Sequence, residues 1–274
     1  MSIAIVDVGS NAVKYKIFRN NNYLKPVEYV RKPLRLGKDV FSRGKLSNKS
    51  IDELVSILIE FKERFKQKKI SKVFYMATSA MRDTKNKKEI VNILNEKDIE
   101  LEIISASDEA YLLHNFSSHE RCYAVIDIGG GSVEILISQD GYKFSKSFKL
   151  GGVRLLNMSK VERKRLINDK LSWLNQFKNI EAMYGLGGNL RAIFEVNAIS
   201  KTTKYKDFKR LVENYNNLSK KKLTEKFRIP PDRIDIIPIA AEIYLCVAEK
   251  LRVDMIHSSF WSISNGMAIK KSII

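Results

Sequence analysis

The stretch "AVIDIGGGSVEILI" occupies residues 124–137. An apolar run ends at Asp127 and Ile128, three glycines follow at 129–131, and an apolar run carrying Glu134 resumes at once. A run that stops at glycines and restarts within a few residues reads as strand, turn, strand. A looser copy, "AIVDVGSNAVKYKIF" at 4–18, opens the chain. Asp127 lies 120 positions after Asp7, and Gly9/Gly129 and Val13/Val133 keep that offset. Two matched hairpins predict two similar α/β halves.

The remaining elements follow from periodicity. "SIDELVSILIEFKERFK" at 50–66 has helical spacing, with Ser50 and Glu53 as an expected capping box. "KVFYMATS" and "IELEIIS" read as strands, and "NKKEIVNILNEKD" and "SDEAYLLHNF" as helices. After the second hairpin come a strand in "YKFSKSFKLG", an amphipathic helix in "KVERKRLINDKLSWLNQFK", and a strand, glycine turn and helix in "EAMYGLGGNLRAIFEV". Residues 205–227 read as helical. "PDRIDIIPIAAEIYLCVAEKL" reads as a helix introduced by prolines, "DMIHSSFW" as a last strand and "SNGMAIKKSII" as a last helix. The expected domains are 1–120 and 121–274, sharing a cleft, with the last helix packing back on the first domain.

Composition bounds the partners. Of 274 residues, 44% are hydrophobic, which suits a globular protein. Lys and Arg number 49 against 31 Asp and Glu, a net charge of +18 that attracts polyanions. Cys122 and Cys246 have no metal-ligand spacing and read as small buried residues. The N-terminus reaches Asp7 without a signal-peptide pattern, and charges interrupt the longest apolar stretch, so the cytoplasm is expected and a membrane is not. His114, His119 and His257 lack ligand spacing and read as surface or packing residues. "KQKK" at 66–69 and "KKK" at 220–222 read as solvated faces that also guide a polyanion. No aromatic interleaving marks a single-strand groove, so no specific nucleic acid is expected.

The glycine turns carry the chemistry. Backbone N–H groups without neighbouring Cβ atoms can converge on a phosphate oxygen. Ser10, Asn11 and Ser132 add side-chain donors. Asp127 and Glu134 would repel phosphate directly, but make sense if a divalent cation sits between them and the phosphate oxygens. The turn returns to a strand, so it is not a dinucleotide fingerprint. It also lacks the GK[ST] of a P-loop.

The double hairpin resembles the actin-like ATPase superfamily. The chain is more specifically similar to the exopolyphosphatase / guanosine pentaphosphate phosphohydrolase (Ppx/GppA) family. The matches run in order: "DVGSNAVK" at 7–14, "RLGKDVFSRGKLS" at 35–47, "ATSAMRD" at 77–83, "ISASDEAYLL" at 104–113, "DIGGGSVE" at 127–134, "KLGGVRL" at 149–155, "GLGGN" at 185–189 and "PPDRIDIIPIAAEI" at 230–243.

The resemblance implies an α/β fold of two RNase H-like domains flanking a cleft. It also implies release of a terminal phosphate by water with Mg²⁺. It puts the catalytic base at Glu109, a phosphate-contacting arginine at Arg82, and acids for metal and water placement at Asp127 and Glu134. Asp7 joins Asp127 and Glu134 as an implied metal ligand. Ser10 and Asn11 fall on the first phosphate loop and Gly129, Gly130, Gly131 and Ser132 on the second, with Gly187 and Gly188 as further phosphate contacts. From the residues alone, Glu109 reads as a helix-start acid favoured by the macrodipole, and the resemblance reverses that reading.

Two departures stand out. Ser264 and Asn265 replace the family's arginine and acid while Gly266 remains, and Asn189 stands where threonine is usual. Longer relatives carry a further helical region, so strong processivity on very long polymers is not expected. The implied substrate is inorganic polyphosphate. Guanosine pentaphosphate, giving tetraphosphate, is the alternative, and a weakly catalytic polyphosphate or alarmone sensor or an ATP-using phosphotransferase are rivals. Related folds often dimerise, which adds a homodimer to the implied partners.

Overall fold

The computed structural model describes residues 2–20, 24–216, 221, 225 and 231–272. The chain divides into two compact units, Met1–Leu112 with Ile263–Ile274, and Leu113–Ser262. The division falls upstream of the expected 120/121. The physical reason lies in Phe116, whose ring meets Tyr123 at 6.1 Å, Tyr184 at 5.2 Å and Trp261 at 5.7 Å, all in the second unit.

The first unit runs β1 (Ser2–Val8), β2 (Ala12–Asn20), β3 (Leu24–Pro33), α1 (Leu36–Arg43), α2 (Asn48–Gln67), β4 (Lys72–Ala77), α3 (Ser79–Asp83), α4 (Lys87–Asn95), β5 (Leu101–Ile103) and α5 (Ala106–Tyr111). Its sheet order is β3-β2-β1-β4-β5. β1 pairs antiparallel with β2 and parallel with β4. Period-two alternation sends Ala4, Val6 and Val8, with Val13, Tyr15 and Ile17, to one face. That face meets Leu54, Leu58, Phe61 and Phe65 of α2, spaced to share one side of the helix. Tyr15 stands edge-on to Phe61 at 4.7 Å and to Phe65 at 4.9 Å. α2 begins earlier than its pattern suggests: Ser47 is the N-cap, and its Oγ accepts the Ser50 N–H. Ser50 is therefore not a cap. It donates its hydroxyl to Asp39, which also accepts the Ser47 N–H and hydroxyl.

The second unit repeats the plan with β6 (Tyr123–Ile128), β7 (Val133–Gln139), β8 (Tyr142–Phe148), α6 (Lys160–Lys170), β9 (Ala182–Leu186), α7 (Gly187–Val196), β10 (Thr202–Lys204), α8 (Tyr205–Asn216), α9 (Ile237–Leu251) and β11 (Met255–Ser258). α10 (Ile263–Ser272) returns to the first unit, where it packs on β1. The second sheet order is β10-β11-β9-β6-β7-β8. In both units a central strand has an antiparallel hairpin on one side and a parallel neighbour on the other. α7 and α9 cover the apolar face of β6 and β7 with Leu190, Ile193, Ile243 and Tyr244. α6 is not amphipathic: Ile167 is its one buried residue, and Trp173 lies in a 3₁₀ turn after it. Arg163 of α6 instead makes a two-point ion pair with the buried Glu242 of α9, at 2.8 and 3.1 Å. Of the helix expected at 205–227, positions 217–220, 222–224, 226 and 227 lie outside the described residues, as do Lys220 and Lys222 of the lysine run, Pro230, Ile273 and Ile274. No described helix is long and apolar enough to cross a membrane.

Asn265 of α10 accepts a hydrogen bond from the buried Lys16 ammonium at 2.8 Å. A neutral acceptor thus stands at the first departure from the family pattern. Gly266 beside it is needed for packing, because a β-carbon there would lie 2.5 Å from the Leu112 carbonyl oxygen.

Glu28 of β3 is the acid-sensitive point of the first unit. It accepts from Tyr15 Oη at 2.5 Å, Arg64 Nε at 2.9 Å and Lys68 Nζ at 2.8 Å. Burial opposes its charge, but the bonds from Lys68, Tyr15 and Arg64 outweigh burial and hold the carboxyl at about 2. A depressed folded-state value means the stabilisation is complete above the unfolded value of 4.5 and is lost as pH falls towards about 2. Denaturant midpoints followed through that window are expected to fall less steeply for Glu28→Gln than for the parent. Identical acid sensitivity in both would show that Glu28 does not govern the response.

Candidate active site: two glycine turns, a carboxylate pair and an arginine–glutamate pair

In the first unit, the sequence-predicted residues gather at the carboxyl ends of the parallel strands β1, β4 and β5. The strand ends are tied together by Thr78 N–H to the Val8 carbonyl at 3.3 Å and Ile104 N–H to the Ala77 carbonyl at 3.1 Å. Gly9 N–H closes the β1–β2 turn on the Ala12 carbonyl at 3.1 Å. Ser10 follows, 3% exposed, and its Oγ is the buried side-chain polar atom without a hydrogen-bond partner among the described residues. Such an orphan is costly unless something binds it. The backbone packs from behind: Gly37 N–H of α1 donates to the Ser10 carbonyl at 2.8 Å, and a β-carbon on Gly37 would lie 3.0 Å from Ser10 Cβ. Asn11 Oδ1 accepts from Arg35 Nε at 2.9 Å.

Arg82 and Glu109 come together. Arg82 Nη1 donates to Glu109 Oε2 at 2.6 Å and to the Ile104 carbonyl at 3.1 Å. Glu109 is 4% exposed. Nε and Nη2 of Arg82 have no acceptor among the described residues, so half of its planar fork is open to an oxyanion. The role of helix-start acid belongs to the neighbouring Asp108, whose N–H and carboxylate both engage the N-cap Ser105. Glu109 points instead to the arginine. Asp7 forms an ion pair with Lys14, directly opposite it on β2, at 2.8 Å.

In the second unit the β6–β7 turn is closed by Gly129 N–H to the Ser132 carbonyl at 2.9 Å. Residues 151–154 press on its back. Gly152 N–H donates to the Gly129 carbonyl at 3.0 Å, Val153 and Arg154 N–H to the Gly130 carbonyl at 2.8 and 3.0 Å, and Arg154 Nε to the Gly131 carbonyl at 2.7 Å. The approach is so close that a β-carbon on Gly151 would lie 2.2 Å from the Gly131 nitrogen. The carbonyls are thus consumed from one side. The N–H groups of Gly130, Gly131 and Ser132 have no acceptor among the described residues. Three successive free amides form a concavity suited to an anion.

Asp127 and Glu134 are direct cross-strand partners. Glu134 is 1% exposed and accepts from Ser147 Oγ at 2.8 Å. Opposed like charges destabilise a sheet unless a cation lies between them. Two carboxylates beside a turn of unpartnered amides fit the donor set of Mg²⁺, which binds through one or two carboxylates, phosphates and water. Among the described residues no cluster of three or more acids, histidines or cysteines is arranged to hold a metal by itself. Gly187, with φ at 74°, brings the start of α7 against Asp127, where a β-carbon would be 2.9 Å from Oδ1. Beside it, Arg233 Nη1 donates to the Gly188 carbonyl at 2.7 Å, and Asn189 Nδ2 donates to the Ile128 carbonyl at 2.8 Å.

Sequence reading passed over Lys14, Arg35, Arg154 and Arg233, although each stands within or beside a quoted motif. Their signal was a cation inside a quoted motif. His257 stacks on Tyr184 at 4.7 Å and bonds Thr202, and His114 bonds Ser145, which are packing roles.

These features define an α/β protein with two RNase H-like units, each with a glycine turn at the end of its central strand. The chain belongs to the Ppx/GppA phosphatase family, which it matches over residues 17–272. It is similar to the crystal structure of an exopolyphosphatase from Cytophaga hutchinsonii, with TM-score 0.88 and 20% identity over 99% of this chain and 97% of that one. It is also similar to the Aquifex aeolicus Ppx/GppA family member, with TM-score 0.82 and 23% identity over 100% and 98%. Exopolyphosphatase 1 of Mycobacterium tuberculosis is 29% identical over 166 residues, covering 57% of this chain and 48% of that protein. The chain thus matches about half the length of that relative.

The orphaned Ser10 hydroxyl yields a test. Ser10→Ala removes a polar atom that is unsatisfied in the free protein, a state that costs about 1–3 kcal/mol. The denaturation midpoint is expected to stay level or rise, while pyrophosphate binding measured by calorimetry weakens about tenfold. A variant that binds as well as the parent would remove Ser10 from the phosphate site.

Proposed function

We propose that this protein removes the terminal phosphate from inorganic polyphosphate by attack of water. The observation that carries the reading is the row of unpartnered amides at Gly130, Gly131 and Ser132 beside the opposed Asp127 and Glu134. Family membership and the +18 charge support it. Phosphoryl transfer depends on positioning and charge neutralisation more than on covalent help. In this reading the amides of 130–132, with Ser10 and Asn11, hold phosphate oxygens. Gly187 and Gly188 add backbone contacts. Arg82 offers the free half of its guanidinium to the phosphoryl group whose charge grows in the transition state. Glu109, steadied by Arg82, takes a proton from the attacking water as its oxygen bonds to phosphorus and the bridging P–O bond breaks. Asp127 and Glu134 would hold Mg²⁺, which when bound neutralises charge on the phosphate oxygens. Asp7 serves this arrangement by orienting Lys14.

The test is orthophosphate release by the purified chain with Mg²⁺, comparing polyphosphate with guanosine pentaphosphate. Polyphosphate is expected to be the better substrate, and Glu109→Gln to lower the rate by about 10²–10⁴. Preference for the nucleotide would move the substrate assignment to guanosine pentaphosphate. Retained activity in Glu109→Gln would remove Glu109 as base, and tight binding without turnover would replace the hydrolase with a sensor.

A further inference from the structure

A cavity of about 800 Å³ opens in the first unit, away from the glycine turn. Val73, Phe74, Tyr75 and Leu101 line it where β4 and β5 begin, and Phe65 and Lys66 line it from the last turns of α2. Arg82 and Glu109 follow the opposite, carboxyl ends of the same two strands. The volume is that of a small-molecule site.

Tyr75 supplies the second observation. It lines the cavity and is 8% exposed, yet its hydroxyl has no hydrogen-bond partner among the described residues. Burial pushes this phenol up to about 12, so it stays a neutral donor. The hydroxyl is not sealed from solvent, so it is a donor open to a ligand in the cavity.

The charges point the same way. Lys62 is engaged by the Lys97 carbonyl at 2.7 Å and Asp98 at 3.2 Å. Lys271 pairs with Glu102 at 2.9 Å and lies over the Phe74 ring at 5.2 Å. Lys66 and Lys69, from the basic run at 66–69, have no ion-pair partner among the described residues. Glu100 is the lining carboxylate outside those pairs. Two free ammonium groups, an apolar wall and one unpaired hydroxyl match a ligand with an anionic head and a flat apolar body. A bare phosphate chain would leave the apolar wall unused and meet the carboxylates.

We propose that this cavity binds a nucleoside phosphate, its phosphate on Lys66 and Lys69, its base against Phe65, Val73 and Leu101, and a polar atom on the Tyr75 hydroxyl. The proposal is independent of the hydrolysis reading, since none of these residues belongs to the glycine turns.

The experiment is calorimetric titration of the full chain with AMP, GMP and orthophosphate. It compares the parent, Tyr75→Phe, the Lys66→Glu/Lys69→Glu pair and Glu109→Gln. Tyr75→Phe loses no hydrogen bond and is expected to keep the parent's denaturation midpoint. Nucleoside monophosphate binding is expected to weaken about fivefold in Tyr75→Phe and at least about tenfold in the double variant. It is expected to be unchanged in Glu109→Gln. Binding that is absent, that orthophosphate matches, or that falls in Glu109→Gln but not in the cavity variants would overturn the proposal.

Discussion

Backbone presses on backbone behind each glycine turn, and there is little room there for a β-carbon. Residues 151–154 take the carbonyls of Gly129, Gly130 and Gly131 from one side. Gly37 takes the Ser10 carbonyl in the same manner. With the carbonyls consumed, the amides that remain carry an uncancelled positive edge. The start of α1 is tied to the first turn by one of these contacts. The turn is therefore a property of the packed unit and not of three glycines alone.

The duplicated backbone carries two different chemistries. On the first hairpin Asp7 is opposite Lys14 and its charge is answered within the sheet. On the second, Asp127 is opposite Glu134 at the same register. One change of sign on the second strand separates an ion pair from two opposed carboxylates. The first unit contributes a different pair, Arg82 with Glu109, from helices that follow neighbouring parallel strands. Buried beside the arginine, the carboxylate has a fixed position.

Most elements were legible because their apolar period was strong. β1, β2, β6 and β7 were read from alternation, and α2 and α9 from helical spacing. β3 was missed because Pro26, Pro33 and alternating charges mask an edge strand, and a strand at an edge needs only one paired side. β10 was missed because three residues are too few to show a period. The α2 cap was misplaced because Ser47 and Ser50 are both able caps, and Asp39, distant in sequence, draws the Ser50 hydroxyl away. Arg154 and Arg233 stood inside quoted motifs, but only the folded chain shows their guanidinium groups against Gly131 and Gly188.

By itself, the sequence determined that the chain has two glycine-turn hairpins in matching halves, a strongly basic surface and a set of acids and an arginine spaced as in one phosphatase family. These are local or compositional properties, written in spacing and residue type. Tertiary structure alone decided that Glu109 faces Arg82 while Asp108 takes the helix start, and that Ser10 is orphaned. It also decided that Tyr75 opens onto a cavity between α2 and the starts of two strands. Such facts depend on which distant backbone fills the space behind a side chain, and no period or motif in the chain encodes that.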